Sequence, residues 1–212
     1  MTARAQNHAS RFDVILFEVG GVLLTNGWDH IERAAVLEQF KLDAAAFEAR
    51  HAGPYDLWER DDTAAEDYLG ETVFYEPRNF TPQEFMAAMK LQSVPLADNG
   101  IGVLTEIHAS GNWLVGVLNN ESRLLHEYRM ERYGLGSLLD LQLSSCYLGL
   151  RKPEAAIYRR ALDILGVPGE RVIFIDDRKI NTDAAATFGI HAIQFLGEEQ
   201  LRRDLRELGI LS

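Results

Sequence analysis

Residues 172–195 read VIFIDDRKINTDAAATFGIHAIQF, with an apolar run at each end. The first run stops at the acidic pair Asp176-Asp177, and residues 181–188 then have a helical pattern that leads into the second run. A buried strand, a helix and another buried strand in this order form a βαβ unit, whose two strands lie parallel. This stretch therefore predicts part of a parallel sheet that is covered by helices.

The same alternation extends outward to both ends of the chain. Apolar runs that read as strands occupy residues 13–19, 113–118, 139–143, 171–175 and 190–195. Helical patterns lie between and after them, at residues 101–109, 122–133, 153–165, 181–188 and 198–208. Alternating strands and helices predict an α/β fold with a parallel sheet flanked by helices on both faces.

Residues 25–97 interrupt this alternation. They are charged, rich in aromatic residues and helical in pattern, without a convincing strand. We interpret them as a small helical cap inserted after the first strand, so that residues 1–24 and 98–212 form the core domain. A plain helical layer of the same core is the alternative.

Proline and glycine divide the inserted segment. Gly53-Pro54, Pro77 and Pro82 are expected to separate three or four helices. Its aromatic residues Trp28, Tyr55 and Trp58 have two interpretations: they line a substrate pocket, or they pack the interior of the inserted segment itself.

Acidic side chains follow two of the predicted strands. In open parallel sheets, ligands bind beyond the carboxyl ends of the strands, where the strand order reverses. Glu18 ends the first strand, and Asp176 and Asp177 end the fourth. Two adjacent carboxylates at a buried strand end are costly unless a cation or strong hydrogen-bond donors compensate them, and Mg²⁺ prefers such oxygen ligands. The alternative is that one aspartate caps the next helix while the other is solvated.

Groups suited to a phosphate lie near the same edge. Lys152 precedes a helix start, where the helix dipole disfavours a cation, so an anion is expected beside it. Gly20-Gly21 and Asn119-Asn120 offer main-chain amides close to helix starts. Each feature alone is weak, because an isolated surface lysine or a glycine turn carries no function.

Taken together, four segments resemble the ordered motifs of the haloacid dehalogenase-like (HAD) superfamily. They are VILFEVGGVLL (14–24), GVLNNES (116–122), SSCYLGLRKPEAAIYRRAL (144–162) and the segment quoted first. The resemblance looks closest to small capped sugar-phosphate phosphatases, such as α-D-glucose-1-phosphate phosphatases. It implies a Rossmann-like core and a phosphatase that depends on magnesium.

The resemblance also implies a role for each matching residue. A carboxylate at the end of the first strand attacks phosphorus and forms an acyl phosphate that water hydrolyses; here this residue is Glu18. Mg²⁺ is held by Glu18, the carbonyl of Gly20 and Asp177, with Asp176 acting through water. Lys152 neutralises the phosphoryl oxygens and holds the nucleophile.

The sequence departs from the family pattern at three positions. The family nucleophile is aspartate, and this chain has Glu18; the serine or threonine of the second motif is replaced by Asn119. Gly20 stands where many of the family's phosphatases carry a general acid. His30 and Glu59 of the inserted segment are the candidate proton donors, although residues of this kind are more often solvated surface.

These departures leave three functions open. The first is a phosphatase of a small phosphorylated metabolite, and the second is a catalytically impaired binding or regulatory protein. The third and most distant is a haloacid dehalogenase, which needs no metal and is disfavoured by the Asp176-Asp177 pair.

Composition excludes several partners. The formal net charge of −11 and a pI near 5.0 argue against binding to nucleic acid or to an anionic membrane surface. A single cysteine, Cys146, and the absence of a long apolar run lead us to expect a cytoplasmic setting. No metal role is expected for the scattered His8, His51, His108, His126 and His191.

Overall fold

A computed structural model describes residues 11–212 of the protein. Five parallel strands form one sheet in the order β3-β2-β1-β4-β5. The strands are β1 (Val14–Phe17), β2 (Leu114–Asn119), β3 (Leu141–Ser144), β4 (Val172–Asp176) and β5 (His191–Gln194). Each overlaps its predicted run, so the predicted parallel sheet is confirmed.

Ten α-helices accompany the sheet within the described residues. Four lie within residues 25–97: α1 (His30–Gln39), α2 (Ala44–Glu59), α3 (Ala65–Thr72) and α4 (Pro82–Leu91). The others are α5 (Ile101–Ser110), α6 (Arg123–Arg132), α7 (Ser145–Leu148), α8 (Ala155–Leu165), α9 (Lys179–Ala186) and α10 (Glu198–Glu207). Short 3₁₀ segments occupy Leu135–Leu138 and Gly169–Arg171.

Both faces of the sheet are buried, as the continuous apolar runs require. Alternate residues of β1 point to opposite faces, so Ile15 and Phe17 join one apolar cluster while Val14 and Leu16 join another. The first cluster includes residues of α5 and α10, and the second includes residues of α8 and α9. This two-sided packing fixes the strand ends from which the site is built.

Helices α1–α4 share an apolar cluster of their own, to which α6 contributes Leu125. Trp28, Trp58 and Tyr68 are among its buried side chains, and the Trp58 and Tyr68 rings stack with centroids 4.5 Å apart. The division of the chain into core and cap at residues 25–97 stays a prediction. The first ten residues of the predicted core, including His8, lie outside the described residues.

The chain enters and leaves the α1–α4 segment at neighbouring points. Leu24 forms an antiparallel bridge with Pro95. The Thr25 amide donates to the carbonyl of Val94 at 2.9 Å, and the Thr25 hydroxyl donates to the carbonyl of Gln92 at 2.7 Å. The two connections therefore support each other beside the carboxyl end of β1.

One predicted helix boundary is wrong. Gly53-Pro54 was expected to end a helix, but Pro54 lies inside α2. Proline forfeits one amide donor in the helix ladder. Other interactions stabilise α2: its N-cap Asp43 accepts from the amides of Ala45 and Ala46, and the helix buries Phe47 and Trp58. These interactions outweigh the local effect of one proline.

Candidate active site

The site lies where the strand order reverses, at the carboxyl ends of β1 and β4. Phe17 is in register with Ile175, and the Glu18 amide donates to the Ile175 carbonyl at 2.8 Å. This pairing brings Glu18 and Asp176 next to each other, directly beyond the two strands. The topology thus assembles carboxylates that lie near opposite ends of the chain.

Lys152 lies between these two carboxylates. Its side chain is 0% exposed, and its ammonium donates to Asp176 Oδ2 at 2.6 Å and to Glu18 Oε2. Burial alone would lower the pKa of Lys152, but the carboxylates of Asp176 and Glu18 outweigh it and raise the pKa. The lysine is therefore a buried cation with two anionic partners, and the surface alternative is wrong.

Glu18 is held on both sides of its carboxylate. Oε1 accepts from the main-chain amides of Val19 at 2.8 Å and Gly20 at 3.0 Å, and Oε2 accepts from Lys152. Burial raises the pKa of Glu18 to about 7, although Lys152 acts in the opposite direction. The neighbouring carboxylates of Asp176 and Asp177 raise it as well, so the ionised form of Glu18 depends on its three donors.

The two consecutive aspartates have different surroundings. Asp176 is fully buried and accepts from Lys152, from the Arg178 amide at 2.8 Å and from Asn181 Nδ2 at 3.0 Å. Asp177 instead lines the cavity described below. Burial and the neighbouring Asp176 raise the pKa of Asp177. Asp177 is thus the carboxylate whose charge calls for a cation.

Gly21 makes room for that carboxylate. Its φ of +73° lies in the left-handed region, and a Cβ built on it would meet Asp177 Oδ2 at 2.3 Å. A side chain at this position would both strain the backbone and displace Asp177. The role of Gly21 is therefore to permit a close approach.

A polar cavity of about 80 Å³ opens beside Glu18. Its walls combine carboxylates, guanidinium groups and amides with one aromatic ring. They are formed by Glu18, Gly20, Asn26, Asp29, Tyr55, Glu59, Asn120, Arg129, Arg151, Asp177, Arg178 and Asn181. Seven of these twelve side chains are acidic or basic, so the cavity suits a charged or strongly hydrated ligand.

Helix α2 supplies part of this wall. Arg151 contacts Glu59 Oε2 at 2.5 Å, and its guanidinium lies 5.8 Å from the centre of the Tyr55 ring. Burial raises the pKa of Glu59, while Arg151 opposes that rise. Of the two proposed proton donors, the structure therefore brings Glu59 to the cavity, whereas the side chain of His30 is 75% exposed and is not part of the wall.

The three aromatic residues of the inserted segment divide between their two interpretations. Tyr55 lines the cavity, whereas Trp28 and Trp58 pack within the α1–α4 cluster. Trp28 Nε1 donates to the Tyr68 hydroxyl at 2.7 Å. The pocket interpretation therefore fails for both tryptophans, because their large apolar surfaces are buried among other aromatic rings.

Asn120, rather than Asn119, reaches the cavity wall. Asn119 is buried and its Nδ2 lies 3.4 Å from Nδ1 of His126, whose Nε2 lies 2.8 Å from Gln142 Oε1. Asn120 exchanges two hydrogen bonds of 2.9 Å with the main chain of Lys152 and so positions the loop that carries the lysine. The predicted phosphate contact of Asn119 stays a prediction.

Sequence reasoning missed a second buried ion pair beside the cavity. Arg129 is 1% exposed and donates to Glu121 Oε2 at 2.9 Å, to Ser93 Oγ at 3.2 Å and to the Thr25 carbonyl. Thr25 and Ser93 belong to the two connections that flank α1–α4. Arg129 therefore ties both connections to α6. A charged residue within an ordinary helical pattern gave no signal of this role.

Oxygen ligands for Mg²⁺ are available at the cavity. Glu18, Gly20 and Asp177 all line it, whereas Asp176 is fully buried and is not part of the wall. No preformed group of three acidic, histidine or cysteine ligands occurs within residues 11–212. Mg²⁺ commonly takes only one or two carboxylates and keeps several waters. Asp177, which lines the cavity and has a raised pKa, and the oxygen-rich wall therefore fit this ion.

Similar proteins are mostly hydrolases. Flavin mononucleotide hydrolase 1 of Arabidopsis thaliana is 27% identical over 145 residues, which is 68% of this chain and 58% of that protein. GMP/IMP nucleotidase YrfG of Escherichia coli is 34% identical over 95 residues, which is 45% of this chain and 42% of that protein. The matches thus span about half the length of these relatives.

Solved structures share the fold. The HAD family enzyme bt-2542 of Bacteroides thetaiotaomicron has a TM-score of 0.79 at 17% identity, covering 92% of this chain and 98% of that one. A second structure of that enzyme, in complex with magnesium and inorganic phosphate, has a TM-score of 0.70 and covers 86% of this chain and 93% of that one. At such identities the likeness concerns the fold alone.

The family model described as haloacid dehalogenase-like hydrolase matches residues 12–189. This range includes the first three motifs of the sequence analysis, residues 172–189 of the fourth, and every residue of the Lys152 cluster. The chain belongs to the haloacid dehalogenase-like hydrolase family.

Proposed function

We propose that this protein hydrolyses the phosphate ester of a small phosphorylated metabolite in the cavity beside Glu18, with Mg²⁺ as cofactor. The observation that carries the proposal is the buried Glu18–Lys152–Asp176 cluster, which adjoins a polar cavity at the carboxyl ends of β1 and β4. The phosphate-ester hydrolases among its relatives support the same chemistry.

Glu18 is the nucleophile of the proposed reaction. One of its oxygens attacks phosphorus and forms an acyl phosphate, while the bond from phosphorus to the leaving oxygen breaks. Water then attacks the acyl phosphate, which releases inorganic phosphate and restores the carboxylate. Lys152 orients Glu18 and offsets negative charge throughout.

Glu59 supplies the proton for the leaving oxygen. It lines the cavity, and burial raises its pKa, so it keeps a proton to a higher pH than an exposed glutamate does. Arg151 and Tyr55 hold it in place. The proton leaves Glu59 as the ester bond breaks and returns from the attacking water.

Glu18, Gly20 and Asp177 are the residues that would hold Mg²⁺. When bound, the ion would neutralise Asp177 and stabilise charge on the phosphoryl oxygens as a Lewis acid. The small cavity and its charged wall favour a compact polar substrate such as a sugar phosphate. The cytoplasmic setting, and the absence of nucleic-acid and membrane partners, stay predictions; no helix of residues 11–212 is long and apolar enough to cross a bilayer.

A second candidate is a binding protein with impaired catalysis. The observation that favours it is the position of the Glu18 carboxylate, which is turned back onto the amides of Val19 and Gly20. The extra methylene of glutamate moves the attacking oxygen by about a bond length, and a misplacement of about 1 Å can reduce a rate on the order of 10²-fold.

The test is release of inorganic phosphate from sugar phosphates, nucleoside monophosphates and p-nitrophenyl phosphate, with and without Mg²⁺. The native protein and Glu18→Asp are assayed side by side. Turnover by the native protein that requires Mg²⁺ supports the phosphatase. Turnover by Glu18→Asp alone would favour the binding protein, and activity in neither would reject the proposal. Halide release from 2-chloropropionate tests the dehalogenase alternative.

A further inference from the structure

Three hydrogen-bond donors converge on the carboxylate of Glu18. The amides of Val19 and Gly20 share Oε1, and the ammonium of Lys152 contacts Oε2. We propose that these donors form an oxyanion site that Glu18 itself occupies, so that its carboxylate competes directly with phosphate. The inference deepens the proposed function, since it concerns the same site, but it requires no turnover.

The local geometry identifies the site as one for an anion. Two successive main-chain amides that point at one oxygen form a concave group with positive potential, which binds phosphate and carboxylate oxygens. The two distances, 2.8 and 3.0 Å, are those of full hydrogen bonds. Glutamate is long enough to turn back and reach the amides of the next two residues, and so fills the site from within the chain.

The charge of the site comes from Lys152. Its side chain is fully buried and has two carboxylate partners, Glu18 and Asp176. Removing Glu18 leaves Asp176 to stabilise the lysine, while the second contact of the ammonium becomes available to a ligand. Two amides and part of a buried ammonium would then face the space that the Glu18 side chain vacates next to the cavity.

This arrangement has a consequence for the reaction. A phosphoryl oxygen can reach the two amides only after the Glu18 carboxylate has left them. Substrate binding and the resting position of Glu18 therefore exclude each other, and the native protein is expected to bind inorganic phosphate weakly. Shortening the side chain removes the competitor.

The experiment is calorimetric titration with inorganic phosphate at pH 7.5 in buffer containing EDTA. We expect Glu18→Ala to bind at least tenfold more tightly than the native protein, because it loses one nearby negative charge and gains three donors. Glu18→Gln, which keeps an acceptor on the amides but no charge, is expected to be intermediate. Glu131→Ala removes a charge from an exposed position on α6 and should bind as the native protein does.

Equal affinity of the native protein and Glu18→Ala, or no binding by either, would overturn the inference. If circular dichroism shows that Glu18→Ala is unfolded, Glu18→Gln provides the test. A phosphate affinity of Glu18→Gln no greater than that of the native protein would then overturn the inference. Tight phosphate binding by Glu18→Ala without hydrolysis by the native protein would reject the proposed function alone. Hydrolysis by the native protein with unchanged phosphate affinity in the variants would reject this inference alone.

Discussion

Replacing Lys152 by methionine keeps an unbranched side chain but removes the charge between two buried carboxylates. Glu18 and Asp176 are 8% and 0% exposed, so removing the ammonium leaves both carboxylates buried with one donor fewer. Breaking a buried ion pair by removing one partner costs about 3–5 kcal/mol. Since proteins are stable by roughly 5–15 kcal/mol, Lys152→Met is expected to lose about a fifth or more of its free energy of unfolding at pH 8.

The loss depends on pH in a defined direction. The pKa of Glu18 is about 7 in the native protein, and it rises further without Lys152, which lowers it. At a pH between the Glu18 pKa of the native protein and the higher Glu18 pKa of Lys152→Met, the folded variant keeps a proton on Glu18 that the unfolded chain has released. The variant therefore loses about 1.4 kcal/mol relative to the native protein for each pH unit above 7.

Urea unfolding followed by circular dichroism measures both effects, in EDTA and at pH 6, 8 and 9. Lys179→Met is the matched control, because Lys179 is exposed and its ion pair within residues 11–212 is with Asp183, four residues on. The free energy of unfolding of Lys179→Met should stay within about 0.5 kcal/mol of the native value. The account of the Lys152 cluster fails if Lys152→Met matches the control at pH 8, or if its deficit shrinks as the pH rises.

Two further substitutions test the surroundings of the cavity. Gly21→Ala should lower the free energy of unfolding in urea by about 1–2 kcal/mol because of the left-handed φ at this position, and by more because the new methyl group displaces Asp177. An unchanged urea midpoint would contradict the close approach of Gly21 and Asp177. Arg129→Met leaves Glu121 buried without its partner, and burial already raises the pKa of Glu121 to about 8. Arg129→Met should therefore lose about 3–5 kcal/mol of its free energy of unfolding at pH 9 and less at pH 7. Adding Glu121→Gln should restore part of this loss. A loss that does not depend on pH would refute this explanation.

The sheet was predictable because its strands are apolar on both faces and end at conspicuous polar residues. Each predicted run overlaps the observed strand, although β3 begins at Leu141 rather than at residue 139. Pro82 was expected to separate helices, and it is the first residue of α4, which begins with a capping box of Thr81 and Glu84. The helix boundary predicted at Pro54 was wrong because the packing of α2 outweighs the low helix propensity of proline.

The site was only partly predictable. Glu18, Lys152 and Asp176 stand at strand ends or helix starts, which directed attention to them. That Lys152 is buried between the other two could not be read from the sequence, because burial of a lysine depends on carboxylates supplied by distant segments. Asn119 was chosen by motif position, whereas side-chain direction decides which residue faces the cavity.

The Glu121–Arg129 pair shows what sequence patterns miss. Arginine and glutamate in a helical segment normally indicate a solvated face, and the mean hydropathy of α6 is low. Arg129 is buried because the connections that carry Thr25 and Ser93 pass over it. Only the three-dimensional path of these connections reveals the contact.

The most direct test of the account is the initial rate of Mg²⁺-dependent phosphate release by the native protein, Glu18→Ala and Glu131→Ala on one hydrolysed substrate. The account predicts turnover by the native protein, an unchanged rate for Glu131→Ala, and a loss on the order of 10²-fold or more for Glu18→Ala, which lacks the nucleophile. Hydrolysis by Glu18→Ala at the native rate would contradict a reaction centred on the carboxyl end of β1.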